Sequence, residues 1–154
     1  MTASRFGDLE PWQAMLDRHE ELFTEMTPGS AVGFVPRAGS GIQPGKHVAG
    51  LNDANGAEML VWQIGSGHAA GMTALQRSYT GFQQAGVDLL FVADDDALTA
   101  MLDALQGDTL SIMKRQIRKG SIMFYVMKNK YQLQDAGYED FLDSLGLAFL
   151  GACR

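Results

Sequence analysis

Ala69-Ala70-Gly71-Met72-Thr73-Ala74-Leu75-Gln76-Arg77-Ser78-Tyr79-Thr80-Gly81-Phe82-Gln83-Gln84-Ala85 decides between two folds. Leu75, Tyr79 and Phe82 stand three or four residues apart, the spacing of a helical stripe. Gly71 and Gly81 oppose a helix, each by about 1 kcal/mol relative to alanine. As a helix, the stretch completes an alternation of strand 57–64, helix 69–85, strand 87–93, helix 95–106 and strand 121–127. That alternation builds a three-layer α/β protein around a parallel sheet. As an extended segment, it belongs instead to an α+β fold, a mostly antiparallel sheet covered by helices. The α+β reading is preferred, because the parallel alternation leaves the first 56 residues without a place.

Outward from this stretch, the flanking segments read more simply. Val87-Asp88-Leu89-Leu90-Phe91-Val92-Ala93 is the best strand in the chain, and Ala57 to Ile64 (AEMLVWQI) is another. Asp94-Asp95-Asp96 favours a helix start by capping and by the helix dipole, with Leu98, Met101, Leu102 and Leu105 as the apolar stripe and Gly107 as the stop. Residues 109–119 fit helix or strand, and Gly120 separates them from the apolar run Ile122 to Met127. Near the N-terminus, Trp12, Leu16, His19, Phe23 and Met26 predict a helix over 9–26, capped by Asp8 and stopped by Thr27-Pro28-Gly29. Ala31 to Val35 is a short strand candidate. Residues 36–56, rich in Gly, Pro and Asn, predict a long loop. Tyr138, Phe141, Leu142, Leu145 and Phe149 predict an amphipathic C-terminal helix over 138–150. Residues 1–154 form one domain on this reading, with 1–8 a flexible N-terminus.

Composition narrows the function classes. The chain has 154 residues, a hydrophobic fraction of 46%, and a net charge of −6. An acidic chain is a poor nucleic-acid binder, since duplexes and single strands are held through lysine and arginine. The single cysteine, Cys153, allows no intrachain disulfide and leaves a thiolate zinc site unlooked for. Met1 to Asp8 lacks the apolar core of a secretory signal, and no run approaches the roughly 20 apolar residues of a membrane span. The chain reads as cytoplasmic.

No catalytic motif stands out, and no cofactor or metal is expected. His19, His47 and His68 are far apart, without a second ligand at metal spacing. Ser66 near His68 has neither an accompanying acid nor a nucleophile-elbow pattern. Gly65-Ser66-Gly67-His68-Ala69-Ala70-Gly71 offers backbone amides to a phosphate, but its spacing is neither that of a dinucleotide site nor that of a P-loop, and a plain turn explains it.

Two features are less ordinary. Lys114, Arg115, Arg118, Lys119, Lys128 and Lys130 are half of the 12 lysines and arginines, and no acid interrupts them between Asp108 and Asp135. Such a segment either docks anionic groups or is an ordinary solvated face. Met101, Met113, Met123 and Met127 flank it, with Phe124 and Tyr125. Methionine is flexible and polarizable, so it suits a cavity for variable apolar ligands as well as a plain core.

The strand Val87-Asp88-Leu89-Leu90-Phe91, the acid-led segment Asp94 to Leu105, then Ser111-Ile112-Met113-Lys114, Ile117-Arg118-Lys119-Gly120 and Met127-Lys128, together resemble the sterol-carrier (SCP2-like) family. The opening helix followed by Gly29-Ser30-Ala31-Val32-Gly33-Phe34 is similar too, so the resemblance runs discontinuously over about residues 9–130. It implies a five-stranded, mostly antiparallel sheet with helices over an apolar tunnel, and non-catalytic binding of a fatty acid, acyl chain or sterol-like lipid. Phe91, Met101, Met113, Ile122, Phe124 and Met127 would line the cavity. Arg115, Arg118 and Lys119 would meet an acidic head group or a transient anionic membrane surface, and a homodimer is a further partner option. The chain departs from the family at Lys114-Arg115, where a Gly-Lys pair is expected, and in longer stretches at 36–56 and 66–86. Under the parallel-sheet alternative the chain resembles the DsrE-like sulfur-relay fold, and would be a small interaction or regulatory module. The cysteine expected there falls near Met127, so sulfur transfer is not supported.

Overall fold

The run Leu89-Leu90-Phe91-Val92-Ala93 has no polar face, and a strand of that kind is stable only where both sides are covered. In the computed structural model, which describes residues 6–37, 57–65, 71–79 and 86–146, it forms β4 (Leu89–Ala93) with every residue buried. The other strands are β1 (Ala31–Pro36), β2 (Ala57–Ile64), β3 (Met72–Tyr79) and β5 (Ile122–Val126). They make a five-stranded sheet in the order β3-β2-β1-β4-β5. β1 is central: it runs antiparallel to β2 and parallel to β4, while β2–β3 and β4–β5 are antiparallel.

The stretch that divided the two folds is therefore extended over Met72–Tyr79. Its side chains alternate, Met72 and Ala74 inward with Thr73 exposed, and its eight residues match those of β2 one for one from Ile64↔Met72 to Ala57↔Tyr79. Cross-strand pairing over that length outweighs the weak helical spacing of Leu75, Tyr79 and Phe82. The parallel α/β alternative and its DsrE-like resemblance are thereby corrected: only one of four strand pairings among the described residues is parallel. The α+β arrangement is the one adopted.

Five helices complete the described chain: α1 (Leu9–Arg18), α2 (Asp95–Asp103), α3 (Thr109–Lys119), α4 (Lys130–Asp135) and α5 (Glu139–Ser144). α1 is shorter than the predicted 9–26, because a 3-10 turn at Glu20–Leu22 replaces its second half. Phe23 and Met26 still reach the core from that turn. Asp8 is extended but makes no side-chain cap, whereas Asp94 caps α2 by accepting from the Ala97 N–H at 2.9 Å. Asp108 caps α3, and Gly120, at φ 89°, ends it in the left-handed conformation that glycine alone takes freely. The sequence reading missed α4, which carries a full capping box between Asn129 and Gln132. The predicted helix 138–150 is α5 in its first half, and residues 147–150 lie outside the described ones. The long loop expected over 36–56 gives Pro36 to β1, and residues 38–56 are likewise outside. At the N-terminus Phe6 is fully buried and its carbonyl accepts the Trp12 indole N–H at 2.7 Å, so the order begins before residue 8.

The sheet separates two apolar clusters by the parity of its strands. Val32, Phe34, Leu60, Trp62, Ile64, Leu89, Phe91 and Ile122 face the helices, where Trp12, Leu16, Leu98, Met101, Met113 and Phe141 meet them. Register aligns Leu60, Phe34, Phe91 and Phe124 across four strands. The Phe34 and Phe91 rings stack at 5.0 Å, with Trp62 4.5 Å from Phe34 and Phe124 6.1 Å from Phe91. The opposite face gathers Ala31, Val35, Met59, Val61, Leu90 and Val92 with Val87, and every member lies on a strand or beside one. Gly33 belongs there because a Cβ would stand 3.0 Å from the Met59 sulfur and 3.2 Å from Val87.

Candidate functional site

Of the six residues predicted to line a cavity, the fold brings five together. Phe91, Met101, Met113 and Ile122 are buried in the helix-side cluster, and Phe124 packs against it half-buried. Met127 packs on the other cluster, with Met123 and Tyr125. The reason is the two-residue period of β5: Ile122 and Phe124 project to one face, and the odd-numbered residues to the other. A single site containing both Phe124 and Met127 would have to pass through the sheet.

On the helix side the aromatic rings sit in contact, and buried polar atoms are left over, His19 Nε2 at the end of α1 and two more on the sheet and α3. The Trp62 indole N–H and the Gln116 side-chain oxygen are buried without a hydrogen-bond partner among the described residues. Gln116 lies three residues beyond Met113 on α3, on the turn that packs inward. An unpaired buried polar atom costs about 1–3 kcal/mol, so these two and His19 are the places on that side where a ligand hydroxyl or a water would be bound most favourably.

The strand-lined face has an opening. A cleft of about 270 Å³ is lined by Gly29, Gln63, Ile64, Gly65, Thr73 and Leu75. Leu75, opposite Val61 in register, packs against the second cluster, so the cleft's apolar wall continues into it. Its other wall is polar: Thr73 is exposed, and Gln63 accepts from the Arg77 guanidinium at 2.7 Å. From the sequence, Gly65 counts only as part of a phosphate-binding turn and Leu75 only as part of a helical stripe, and none of the six is placed in a ligand site. Met72 to Arg77 does not alternate apolar with polar, so the signal was only the two-residue period that sets Thr73 and Leu75 on one face once the segment is extended.

The basic residues keep to the surface. Arg115, Arg118 and Lys119 are exposed on α3, whose inward residues are Leu110, Met113 and Gln116. None of the three forms an ion pair among the described residues, while Lys128 lies 3.5 Å from Asp88. At the start of the same helix, hydrogen bonds from the Ser111 hydroxyl and then its N–H hold the Asp108 carboxyl below the usual carboxylate range.

Chemistry-bearing groups are scarce in this part of the chain. Among the described residues no three His, Cys, Asp or Glu side chains gather as a metal site would require. His47, His68, Ser66 and Cys153 lie outside those residues. No described helix is long and apolar enough to cross a membrane.

Solved structures of similar layout exist. One is the conserved hypothetical protein TT1886 of Thermus thermophilus, a suggested sterol carrier protein, at 12% identity and a TM-score of 0.42, covering 92% of this chain and 84% of that one. Another is sterol carrier protein 2 of Yarrowia lipolytica in its apo form, at 10% identity and a TM-score of 0.33, covering 91% and 77%. The carrier role in those two names belongs to those proteins. No family model matches the chain, and no curated protein matches it by sequence.

Proposed function

We propose that the protein binds an apolar ligand with one polar end, such as a fatty acid, acyl chain or sterol-like lipid, and performs no chemistry on it. The observation that carries this reading is the open cleft at Gln63, Thr73 and Leu75, whose apolar wall runs into a buried face made of side chains on the strands or beside them. The volume is at the lower end for small-molecule sites, and the lining follows their usual pattern of apolar walls with a few polar groups. The ligand's polar end would meet Gln63 and Thr73, and its apolar part would lie against Leu75 and toward Val61. Met59, Met123 and Met127, all on that face, would adapt their shape to different chains.

A second location is favoured by the unpaired Trp62 and Gln116 atoms. There the ligand would part the helix side of the sheet near Phe91, Met101, Met113, Ile122 and Phe124.

Uptake of a fluorescent polyene fatty acid, followed by quenching of tryptophan with a brominated fatty acid, separates the two. Trp12 and Trp62 both lie on the helix side. The cleft reading expects uptake that falls at least tenfold in Leu75→Arg, persists in Phe124→Asp, and leaves tryptophan emission largely unquenched. Strong quenching and loss in Phe124→Asp would move the ligand to the helix side. Absence of uptake by the folded wild-type chain would end the binding reading.

A further inference from the structure

The two outer strands of the sheet are treated differently. On β3, the Gln13 side chain from α1 acts as a substitute strand: its amide nitrogen donates to the Met72 carbonyl and its oxygen accepts the Ala74 N–H, both at 2.9 Å. The outward-facing backbone there is occupied by a group of the protein itself, a common way to prevent stray pairing.

Among the described residues β5 has no such cover. The Arg37 N–H reaches the Ala93 carbonyl on the β1 side, and the Asp94 N–H reaches the Ser121 carbonyl on the β5 side. Odd residues of β4 thus point toward β1 and even ones toward β5. In register, Leu90↔Tyr125 and Val92↔Met123 are the bonded pairs, and Ile122, Phe124 and Val126 direct their N–H and C=O groups outward. Those outward groups have no partner among the described residues. Exposure grades along the strand: Ile122 is 2% exposed, Met123, Phe124 and Tyr125 are half-buried, and Val126 is 50% exposed, so the accessible part of the edge is Phe124 and Val126. Ile-Met-Phe-Tyr-Val holds neither a charge nor a proline that would discourage pairing.

Charge says what fits beside it. Arg118 and Lys119 precede β5, Lys128, half-exposed and 3.5 Å from Asp88, follows it, and α3, which packs on β5, presents Arg115 outward. A second copy is opposed, because antiparallel pairing of two β5 strands sets the basic start of one against the basic end of the other, and parallel pairing sets like ends together. A lipid surface is disfavoured too: it satisfies no backbone groups, and the apolar stripe of α3 is turned inward.

We propose that β5 is a docking edge for an extended peptide segment of another protein, added as a sixth strand, with about five apolar or β-branched residues flanked by acidic residues at both ends. The separation of the two basic ends, about 17 Å for five residues, sets that spacing.

The probe is an end-blocked peptide Glu-Glu-Val-Thr-Val-Thr-Val-Glu-Glu, titrated into the full chain by fluorescence anisotropy, with hydrogen exchange read at single amides. Expected are saturable binding, slowed exchange at Ile122, Phe124 and Val126, loss of binding when alternate peptide nitrogens are methylated, and roughly tenfold weaker binding to the folded double variant Arg118→Glu, Lys119→Glu. Binding that survives methylation at every second nitrogen in both phases would reduce the contact to charge alone and overturn the proposal. So would slowed exchange at the same amides on concentrating the chain without peptide, tighter binding to phosphatidylserine vesicles than to the peptide, or no binding at about 1 mM peptide.

Discussion

The hydroxyl of Tyr138 donates a hydrogen bond to the Asp88 carboxylate at 2.6 Å, joining the segment between α4 and α5 to the residue just before β4. The Ala31 carbonyl lies 3.1 Å from the same hydroxyl, and the Ala31 N–H donates to Asp88 at 3.2 Å. Three distant parts of the chain thus share one buried polar knot. Tyr138→Phe keeps the ring and removes the donor, leaving a buried carboxylate one partner short. The expected loss is about 1.5–3 kcal/mol, measured by urea unfolding with an unchanged m-value.

Alkaline pH tests the same contact. Burial, the hydrogen bond to Asp88 and the Asp88 charge all push the Tyr138 hydroxyl above the ordinary tyrosine value. The folded chain then keeps a proton that the unfolded chain releases near about pH 10, so the unfolded state binds fewer protons above that pH. Stability is expected to be flat in this respect below about pH 10 and to fall as pH rises beyond it. In Tyr138→Phe that extra alkaline slope should be missing, and an equal slope in both proteins would contradict the assignment.

Gly137 is held at φ +83°, and a Cβ there would overlap the backbone of Glu25 and Met26. Gly137→Ala adds left-handed strain of about 1–2 kcal/mol to that overlap, so a total loss of more than about 2 kcal/mol is expected. Thermal unfolding of the purified variant reads it. Gly71, with open space around it, should accept alanine with little change.

Gln13→Ala should uncover the β3 edge. Two hydrogen bonds to the edge vanish, with an exposed one to Asp17, a loss of about 1–3 kcal/mol. The more telling readout is light scattering on gentle heating, since an uncovered strand edge recruits other chains. Gln13→Glu, which retains the acceptor for Ala74 but not the donor for Met72, should fall between the two.

Asp94→Ala should cost about 1 kcal/mol by removing the cap at Ala97, while Asp8→Ala should change stability by less than about 0.5 kcal/mol, since Asp8 makes no cap bond. Paired urea titrations decide it.

Periodicity and capping residues made much of the fold legible. The run AEMLVWQI gave β2 to the residue, VDLLFVA gave β4 within two, and the acidic triple marked the start of α2. The segment 69–85 stayed divided because its Leu75–Tyr79–Phe82 spacing fits a helix while Gly71 and Gly81 oppose one, and pairing with β2, outside the segment itself, decides it. The helix at 9–26 was overextended because Phe23 and Met26 are core residues reached through a turn, which period alone does not distinguish from a longer helix. The candidate site was less visible. Gln63, Thr73 and Leu75 come from two strands, and their shared cleft exists only once the β2–β3 register is set. The contact of Gln13 with the β3 edge has no sequence signature, since a glutamine on an exposed helix face looks the same with or without a strand beneath it.

The central place of β1 also bears on how the chain reaches its native form. β1, β2 and β3 can zip up as neighbours, but the other side of β1 waits for β4, more than fifty residues further along, and β4 in turn waits for β5. Contacts of such long range slow the search for the native topology. A growing chain on the ribosome therefore holds an open, apolar β1 edge until residue 93 has emerged, and the half-made sheet is the species in which aggregation or chaperone capture would compete with completion.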